Sequence, residues 1–452
     1  MNPYSGKRVV VVGLASSGMS TAKALLGLGA KVRVTEGSTS VEIEERALEL
    51  RAAGATVETG AHDLTHLDAD LAVVSPGVPP ASTVMRTLES TGIEIVSEIE
   101  IAYRLSRADL LAVTGTNGKT TTTSLLAGML SEGGLDTVAA GNIGYPLIDA
   151  ISSVPPGNAI AVEVSSFQLA TTVHFRPKVA VILNVAEDHT DWHGSFGGYA
   201  AAKAKIVANQ QPEDVFLPNA EDPEATRIAD GAVARLVPFS VNRMPDHQPS
   251  IGVEDGHIVW RRTRIIPVED VPLPGVAGLE DTVAAAGAAL EYGIDAHSVV
   301  RAIRAFRPLP HRLEVVAIAD GVTYIDDSKA TNPHATLAAV QGLTDVVLIA
   351  GGRSKGIDLS ALKGTVPPVV GVVALGEAAD QVLEVFEGLV PAQRADSMER
   401  AVALAREQIG AKGSVLLSPG CASLDMYESY AARGDHFGAC VAALLKADQE
   451  IE

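Results

Sequence analysis

The sequence predicts an α/β protein of three domains, each a parallel sheet joined by helical crossovers, and three observations carry that reading. Apolar strand-like runs alternate with Ala- and Leu-rich stretches along the chain, the pattern of strands connected through helices. Several of those runs end in glycine-containing polar turns, where open α/β sheets bind ligands. A length of 452 residues exceeds one core, and about 150 residues per domain gives about three. The expected units are an N-terminal Rossmann-like βαβ domain over residues 1–97, a central P-loop ATPase-like domain over 98–307, and a C-terminal Rossmann-like domain over 308–452.

In the first unit KRVVVVG is an apolar strand, ASSGMSTAKALLGLGA a loop and helix, and KVRVTE a second strand. The loop GLASSG has Gly13 and Gly18 at its ends but Ala15 where a dinucleotide fingerprint carries its middle glycine, which disfavours NAD and leaves another nucleotide or phosphate group at the helix start. Glu36 ends the second strand, where an acid can hold a ribose hydroxyl. The run DLAVVSPGVPP ends in Ser75, Pro76 and Gly77, a turn whose amides would face the same crevice.

The central unit opens on LLAVTGTNGKTTTTSLLAGM, residues 110–129: apolar strand, glycine loop, helix. This is the layout of a phosphate-binding P-loop formed by Gly115, Thr116, Asn117 and Gly118, with Thr121 in the helix start. Lys119 adds a point charge for the outer phosphates, and the Thr120 hydroxyl is placed to ligate Mg2+. Val113 stands where the full pattern has glycine, so the loop matches the shortened form GxxGKT. Asn142 lies in the glycine-framed turn GNIGYP and can offer its amide to a ligand. AIAVEVSSFQL ends its apolar run on Glu163, a carboxylate that needs a positive partner; Mg2+ fits, and a salt bridge or a cap with Ser165 and Ser166 is the alternative. In AEDHTDWH, His189 beside Asp188 is a candidate for a metal or substrate contact, while the His189 and His193 pair lacks other support for zinc. YAAAKAKIVANQ reads as a helix bearing Lys203 and Lys205, residues 212–275 as short edge strands, and GLEDTVAAAGAALEYG as the closing helix.

RPLPHRLEVV, with two prolines, marks a linker and hinge. Three strand-like runs follow, VTYIDDS, DVVLIAGG and SVLLSPG, with polar residues at their carboxyl ends: Asp327, Ser328, Lys329 and Thr331; Arg353, Ser354 and Lys355; Ser418 and Ser423. Converging tips of this kind make a second polar site, suited to a small dicarboxylate or the far side of a nucleotide.

Composition excludes several classes. A formal charge of −20, from 35 Lys and Arg against 55 Asp and Glu, argues against nucleic-acid or membrane-surface partners, which rest on basic patches. No apolar run approaches the ~20 residues that span a bilayer, and the first residues lead into a strand without a signal-peptide pattern, so a soluble cytoplasmic protein is expected. Cys421 and Cys440 show no metal spacing, and neither a disulfide framework nor a structural zinc site is indicated.

Taken in order, GTNGKTTT, EVSSFQL, NVAEDHTD, YAAAKAKI, LPHRLEVV, IDDSKATN, GGRSKGID and LLSPGCASLD resemble the motifs of the Mur ligases over nearly the whole chain. SPG at Ser75, EVSSFQL and DDSKATN are most similar to the D-glutamate-adding branch. The resemblance implies three domains that bind a uridine nucleotide sugar, ATP and the incoming amino acid. It implies ATP, two Mg2+ ions and CO2, the last to carbamylate Lys203, and the substrates UDP-N-acetylmuramoyl-L-alanine and D-glutamate, handled by a monomer. Ser16, Ser17, Gly18 and the turn of Thr35, Glu36 and Gly37 would face the uracil and diphosphate, with Ser75, Pro76 and Gly77 nearby. Asn142 and His189 would touch the muramoyl side. Lys119, Thr120, Glu163 and His189, with the carbamate of Lys203, would hold ATP and the metal ions. Arg312, Asp327, Lys329 and Thr331 would organise the nucleotide and the reacting groups, and Lys355, Ser423, Leu424 and Tyr430 the D-glutamate pocket. The chain departs from the family pattern at Glu280, Asp281 and Ala284, where HNxxN is usual, and at Ser429 and Tyr430, where Asn and Phe are common. Other readings are a sister ligase adding L-alanine or a diamino acid, a folylpolyglutamate synthetase, an NAD-dependent oxidoreductase, or a nucleotide switch that only hydrolyses ATP.

Overall fold

The computed structural model describes every residue except Met1, Asn2, Asp63, Thr65, His66, His247, Gln248, Pro274 and Glu452, and every side chain except those of these residues and of residues 448–451. The first sheet has five parallel strands, β1 (Arg8–Val12), β2 (Lys31–Glu36), β3 (Thr56–Thr59), β4 (Leu71–Val74) and β5 (Glu94–Val96), in the order β3-β2-β1-β4-β5. The chain winds outward from β1 in one direction and then from β4 in the other. The crevice of such a sheet therefore opens beyond the carboxyl ends of β1 and β4.

The second sheet is also parallel: β6 (Asp109–Thr114), β7 (Ala139–Gly141), β8 (Ala159–Glu163), β9 (Val179–Ile182), β10 (Val215–Pro218) and β11 (Arg235–Leu236), ordered β11-β10-β9-β6-β8-β7. Its central strands are apolar without alternation, LLAVT in β6 and AIAV in β8, because helices cover both faces and both sets of side chains are buried. Residues 212–275, expected to form short edge strands, supply β10 and β11 and a small separate sheet of β12 (Phe239–Ser240), β13 (Ile251–Glu254), β14 (His257–Trp260) and β15 (Thr263–Pro267), antiparallel except between β12 and β13.

The fourth sheet runs β16-β17-β21-β18-β19-β20, from β16 (Glu314–Ala319), β17 (Val322–Asp326), β18 (Val346–Gly351), β19 (Val369–Leu375), β20 (Ala392–Arg394) and β21 (Gly413–Leu417). Only β16 is antiparallel to its neighbour. Thus part of the expected linker, Glu314 onward, is strand, because the EVVAIA run pairs with β17. The three strands whose tips the sequence singles out, β17, β21 and β18, are adjacent at the middle of the sheet.

By its contacts the chain groups into two compact units, one of residues 1–185, 192–270 and 281–305 and the other of 186–191, 271–280 and 306–452. The first two sheets fall together because one apolar cluster, from Val9 and Leu25 through Ile99 and Ile148 to Phe216, runs through both helical layers. Polar contacts follow the same seam: Ser20 Oγ donates to Asp149 at 2.7 Å, and the Ile148 amide donates to buried Glu98 at 2.7 Å. Among the described residues no helix is long and apolar enough to cross a membrane.

Candidate active site

The P-loop lies at the carboxyl end of β6, the strand between β8 and β9. Gly118 has φ +83° and precedes the helix Lys119–Glu132, whose first turn has no side-chain cap. Its amides are therefore available to an anion at the positive end of the helix. A methyl group at Gly118 would lie 2.1 Å from Asp281 Oδ1, so only glycine fits beside that carboxylate. Asp281, at the departure from HNxxN, accepts from the Thr122 hydroxyl at 3.1 Å and so reaches the P-loop helix.

Neighbouring strands hold the loop in place. The Asn117 amide donates to Asn184 Oδ1 at 2.8 Å, and the Thr116 amide to the Asn184 carbonyl at 2.9 Å. Thr116 Oγ1 and Tyr199 OH share a hydrogen bond of 3.0 Å. Sequence reasoning missed Asn184 and Tyr199; position just beyond the β9 tip was the one available signal for the first, and none marked the second. Lys119 Nζ donates to the carbonyls of Gly115 and Thr116 at 2.9 and 2.8 Å. Lys203 is fully buried, donates to the same Gly115 carbonyl at 2.6 Å, and lies 4.7 Å from the centre of the Tyr199 ring. Two cationic side chains thus meet at one backbone acceptor. The helix carrying Lys203 spans Phe196–Ala204 and tightens into a 3-10 turn at Lys205–Val207, so Lys205 leaves the predicted helix and donates to the Ala170 carbonyl.

Glu163 ends β8 opposite Val113 of β6. The Asn142 amide group donates to its Oε1 at 2.8 Å, while its buried Oε2 has no hydrogen-bond partner among the described residues. A helix cap does form here, but without Glu163: Ser165 makes a capping box with Gln168, and Ser166 bonds to His193 Nε2 at 3.0 Å. His189 lies in the 186–191 segment, with φ +53° and its amide donating to Asp188. Only His193 is in the one-turn helix Thr190–His193, so the two imidazoles do not form a helical zinc pair.

At the N-terminal turn, Gly13 has φ +98° and leads into the helix Ser16–Gly27, whose N-cap Ala15 offers no side-chain bond. Ser16, Ser17 and Gly18 form its first turn. A methyl on Gly18 would meet the Gly13 carbonyl at 2.0 Å, and one on Gly13 would meet Ser75 Oγ at 2.5 Å, so the turn packs directly on the β4 tip before Pro76 and Gly77. Ser75 Oγ is buried without a hydrogen-bond partner among the described residues. Glu36 turns inward: its carboxylate accepts from the Leu14 amide at 2.7 Å and the Ser38 amide at 2.8 Å. Thr35 Oγ1 bonds to Ala61 O and His62 Nδ1 at 3.2 and 3.0 Å.

In the second unit the strand tips converge. Asp327 accepts from Ser418 Oγ at 2.8 Å and from the Leu313 amide, beside Arg312, at 3.3 Å. Burial pushes its carboxyl up to about 7. Lys329 Nζ lies 3.8 Å from the centre of the Tyr430 ring, a cation–π contact. Thr331 sits one residue before the Asn332 cap of the helix Pro333–Val340. Lys355, with φ +55°, lies 3.9 Å from Asp188. Ser423 is buried and Leu424 exposed on the loop after β21. The residue that ties these loops together went unnoticed in the sequence: buried Arg433 donates to Ser328 Oγ at 2.9 Å, to the Ser328 carbonyl at 2.8 Å and to the Cys421 carbonyl at 3.2 Å. Burial lowers its basicity to about 10.

Comparisons with known proteins agree with this layout. Three family models match in succession: the Mur ligase MurD-like N-terminal domain at residues 7–97, the Mur ligase middle domain at 113–289, and the Mur ligase glutamate ligase domain at 311–421. A UDP-N-acetylmuramoylalanine--D-glutamate ligase of Frankia casuarinae is 41% identical over 448 residues, 97% of this chain and 95% of that protein. Its namesake in Pelotomaculum thermopropionicum is 39% identical over 99% of this chain and 100% of its own. Among solved structures, MurF from Acinetobacter baumannii shares the fold with a TM-score of 0.61 at 17% identity, covering 92% of this chain and 90% of that one. MurF ligase from Thermotoga maritima does so with a TM-score of 0.60 at 14% identity, covering 92% and 96%. Three successive domains and near full-length relatives at this identity place the chain in the Mur ligase family of ATP-dependent amide ligases.

Proposed function

We propose that this chain joins D-glutamate to UDP-N-acetylmuramoyl-L-alanine in the cytoplasmic synthesis of peptidoglycan precursors, through an acyl phosphate made from ATP. One observation carries the choice of substrates: relatives matched over 97% and 99% of the chain bear that activity as their name. In this reading residues 1–97 take the uridine nucleotide sugar, 98–307 take ATP, and 308–452 take the amino acid.

The chain's own residues support each assignment. The loop of Gly115, Thr116, Asn117 and Gly118, held by Asn184, and the helix start behind it receive the phosphates, Thr121 follows in the first turn, and Lys119 neutralises charge as the γ-phosphoryl group moves to the substrate carboxylate. The buried, unpartnered Oε2 of Glu163 fits a cation ligand, which suits Mg2+ held by Thr120, Glu163 and the carbamate of Lys203. When bound, Mg2+ supplies charge neutralisation for phosphoryl transfer. Carbamylation by CO2 converts one of the two cations at the Gly115 carbonyl into an anion, which makes Lys203 a ligand. Ser16, Ser17 and Gly18 offer helix-start amides to the diphosphate, and Ser75 a hydroxyl. Lys355, Ser423 and the Arg312, Asp327 and Lys329 cluster give the C-terminal pocket the net positive character that a dicarboxylate needs.

The test is an ATP-dependent ligation assay with UDP-N-acetylmuramoyl-L-alanine against a panel of D- and L-amino acids. Phosphate release coupled to peptide formation with D-glutamate alone is expected. Coupling to L-alanine or a diamino acid would assign a sister activity, and phosphate release independent of any amino acid would remove the ligase reading.

A further inference from the structure

Between two helices that cover the fourth sheet, outside the strand-tip cluster, three side chains of different chemistry meet. His436 and Cys440 lie four apart on the helix Tyr430–Ile451, hence on one face of it. Glu399 comes from the start of the neighbouring helix Met398–Ile409. One ligand atom from each lies within 4.8 Å of the other two. They line a cavity of about 370 Å³ with Ala439, Ala443 and Leu444. We propose that Glu399, His436 and Cys440 form a site for a divalent transition metal of zinc type, with water in the fourth position.

The two cysteines alone carried no metal spacing in the sequence, because the third ligand arrives from a helix 37 residues upstream of His436. His436 Nε2 and Glu399 Oε1 are 3.1 Å apart. Two ligand atoms at about 2.0–2.1 Å from a tetrahedral ion are separated by roughly 3.3 Å, so the ion would replace the proton now shared between them with little movement. The other ring nitrogen is already engaged: His436 Nδ1 and Tyr427 OH are 2.9 Å apart. That contact orients the ring, and with an ion on Nε2 the Nδ1–H would donate to the Tyr427 oxygen, as a metal-bound histidine does to its outer partner. Mixed thiolate, imidazole and carboxylate donors favour zinc-type ions over Mg2+, which takes oxygen ligands. Burial holds the free Cys440 thiol up at about 11, so binding must release its proton and affinity rises with pH. A bound ion would clamp these two helices one turn beyond Arg433, the residue that gathers the strand-tip loops.

The full chain, stripped of metal by chelation and held in excess Mg2+ to fill oxygen sites, is titrated with Co2+ alone. We expect one equivalent to give the near-ultraviolet charge-transfer absorption of a cobalt–thiolate bond, displaced by Zn2+. The band should vanish in Cys440→Ser, persist in Cys421→Ser, and need at least tenfold more Co2+ in Glu399→Gln and His436→Gln. Zn2+ should raise the Tm of the wild type but not of Cys440→Ser. Absence of the band in folded wild type, its survival in Cys440→Ser, or unchanged affinity in the exposed Glu399→Gln variant would overturn the site. The readout needs sulfur, so ions at the ligase centre do not contribute to it, and the outcome is independent of which amino acid the enzyme joins.

Discussion

Two turns in this molecule share one layout and use it differently. At residues 13–18 and at 115–120 an apolar parallel strand ends in glycine, and a helix without a side-chain cap begins. The N-terminal turn is built from backbone and hydroxyls: Gly13, Gly18 and Ser75 pack against one another, and its nearest acid, Glu36, spends its carboxylate on the Leu14 and Ser38 amides. The central turn is surrounded by charge: Lys119 and Lys203 share one carbonyl, Asp281 touches the helix, and Glu163 keeps a buried oxygen without a partner. A helix start alone can hold an anion. Chemistry on that anion requires the added charges, so the proposed function makes the second turn the reactive one and the first a binding site.

That contrast predicts where substitutions act, taken here in order of their effect on turnover. Lys119→Ala and Glu163→Gln should each lower kcat by about 10²–10³, with little change in KM for the nucleotide sugar, since each removes charge stabilisation made during phosphoryl transfer. Steady-state kinetics with each substrate varied would check this, and a Glu163→Gln enzyme with normal kcat would erase the distinction between the turns. Lys203→Ala should cost roughly 10–100-fold, the range for disturbing a metal site. Wild type depleted of CO2 should lose activity and regain it in bicarbonate, whereas the alanine variant should not recover. Recovery of the variant would show that the lysine acts without carbamylation.

On the other turn the expected damage is to packing and binding. Gly18→Ala places a methyl 2.0 Å from the Gly13 carbonyl, an overpacking worth about 1–3 kcal/mol of stability. Ser75→Ala removes a hydroxyl that lacks an internal partner, so stability should hold. If that hydroxyl serves the substrate, KM for the nucleotide sugar should rise by about tenfold, the equivalent of one hydrogen bond of roughly 1.4 kcal/mol. A lower kcat at saturating substrate in Ser75→Ala would contradict a pure binding role.

Both turns were legible in the sequence because each is local: strand, glycine and helix lie within twenty residues and announce themselves by periodicity. Their supports were not. Asn184 is 67 residues from Asn117, and Tyr199 is 83 from Thr116, so only the order of strands in the sheet brings them together. Arg433 reaches Ser328 across 105 residues and reads in sequence as one more helical arginine. The strands β19 and β20 went unremarked because no chemistry-bearing residue marked their ends, and β16 was hidden by the prolines that precede it. Glu163 was recognisable as an acid ending an apolar run; its unpartnered oxygen required the fold.

A second buried acid, expected to leave turnover untouched, sharpens the comparison. Glu98 starts the helix Glu98–Leu105 and, like Glu163, has one oxygen bonded and one buried without a partner. Its bonded oxygen faces the Ile148 amide, in the shared core and without a P-loop beside it. Burial pushes the Glu98 carboxyl up to about 7, so the folded chain binds a proton that the unfolded chain, titrating near the ordinary value, has released. Stability from this group is therefore greatest below about pH 4.5 and declines as pH rises toward 7. At 1.36 kcal/mol per pKa unit the whole window is worth on the order of 3 kcal/mol. Glu98→Gln keeps the acceptor for Ile148 and removes the titration, so Tm should vary less between pH 5 and pH 8, with the variant gaining on the wild type at the upper end, while kcat stays unchanged. A Glu98→Gln enzyme that keeps the wild-type slope would place the proton uptake elsewhere, and one that loses turnover would mean that an orphaned buried carboxylate is not by itself what separates the reactive turn from its surroundings.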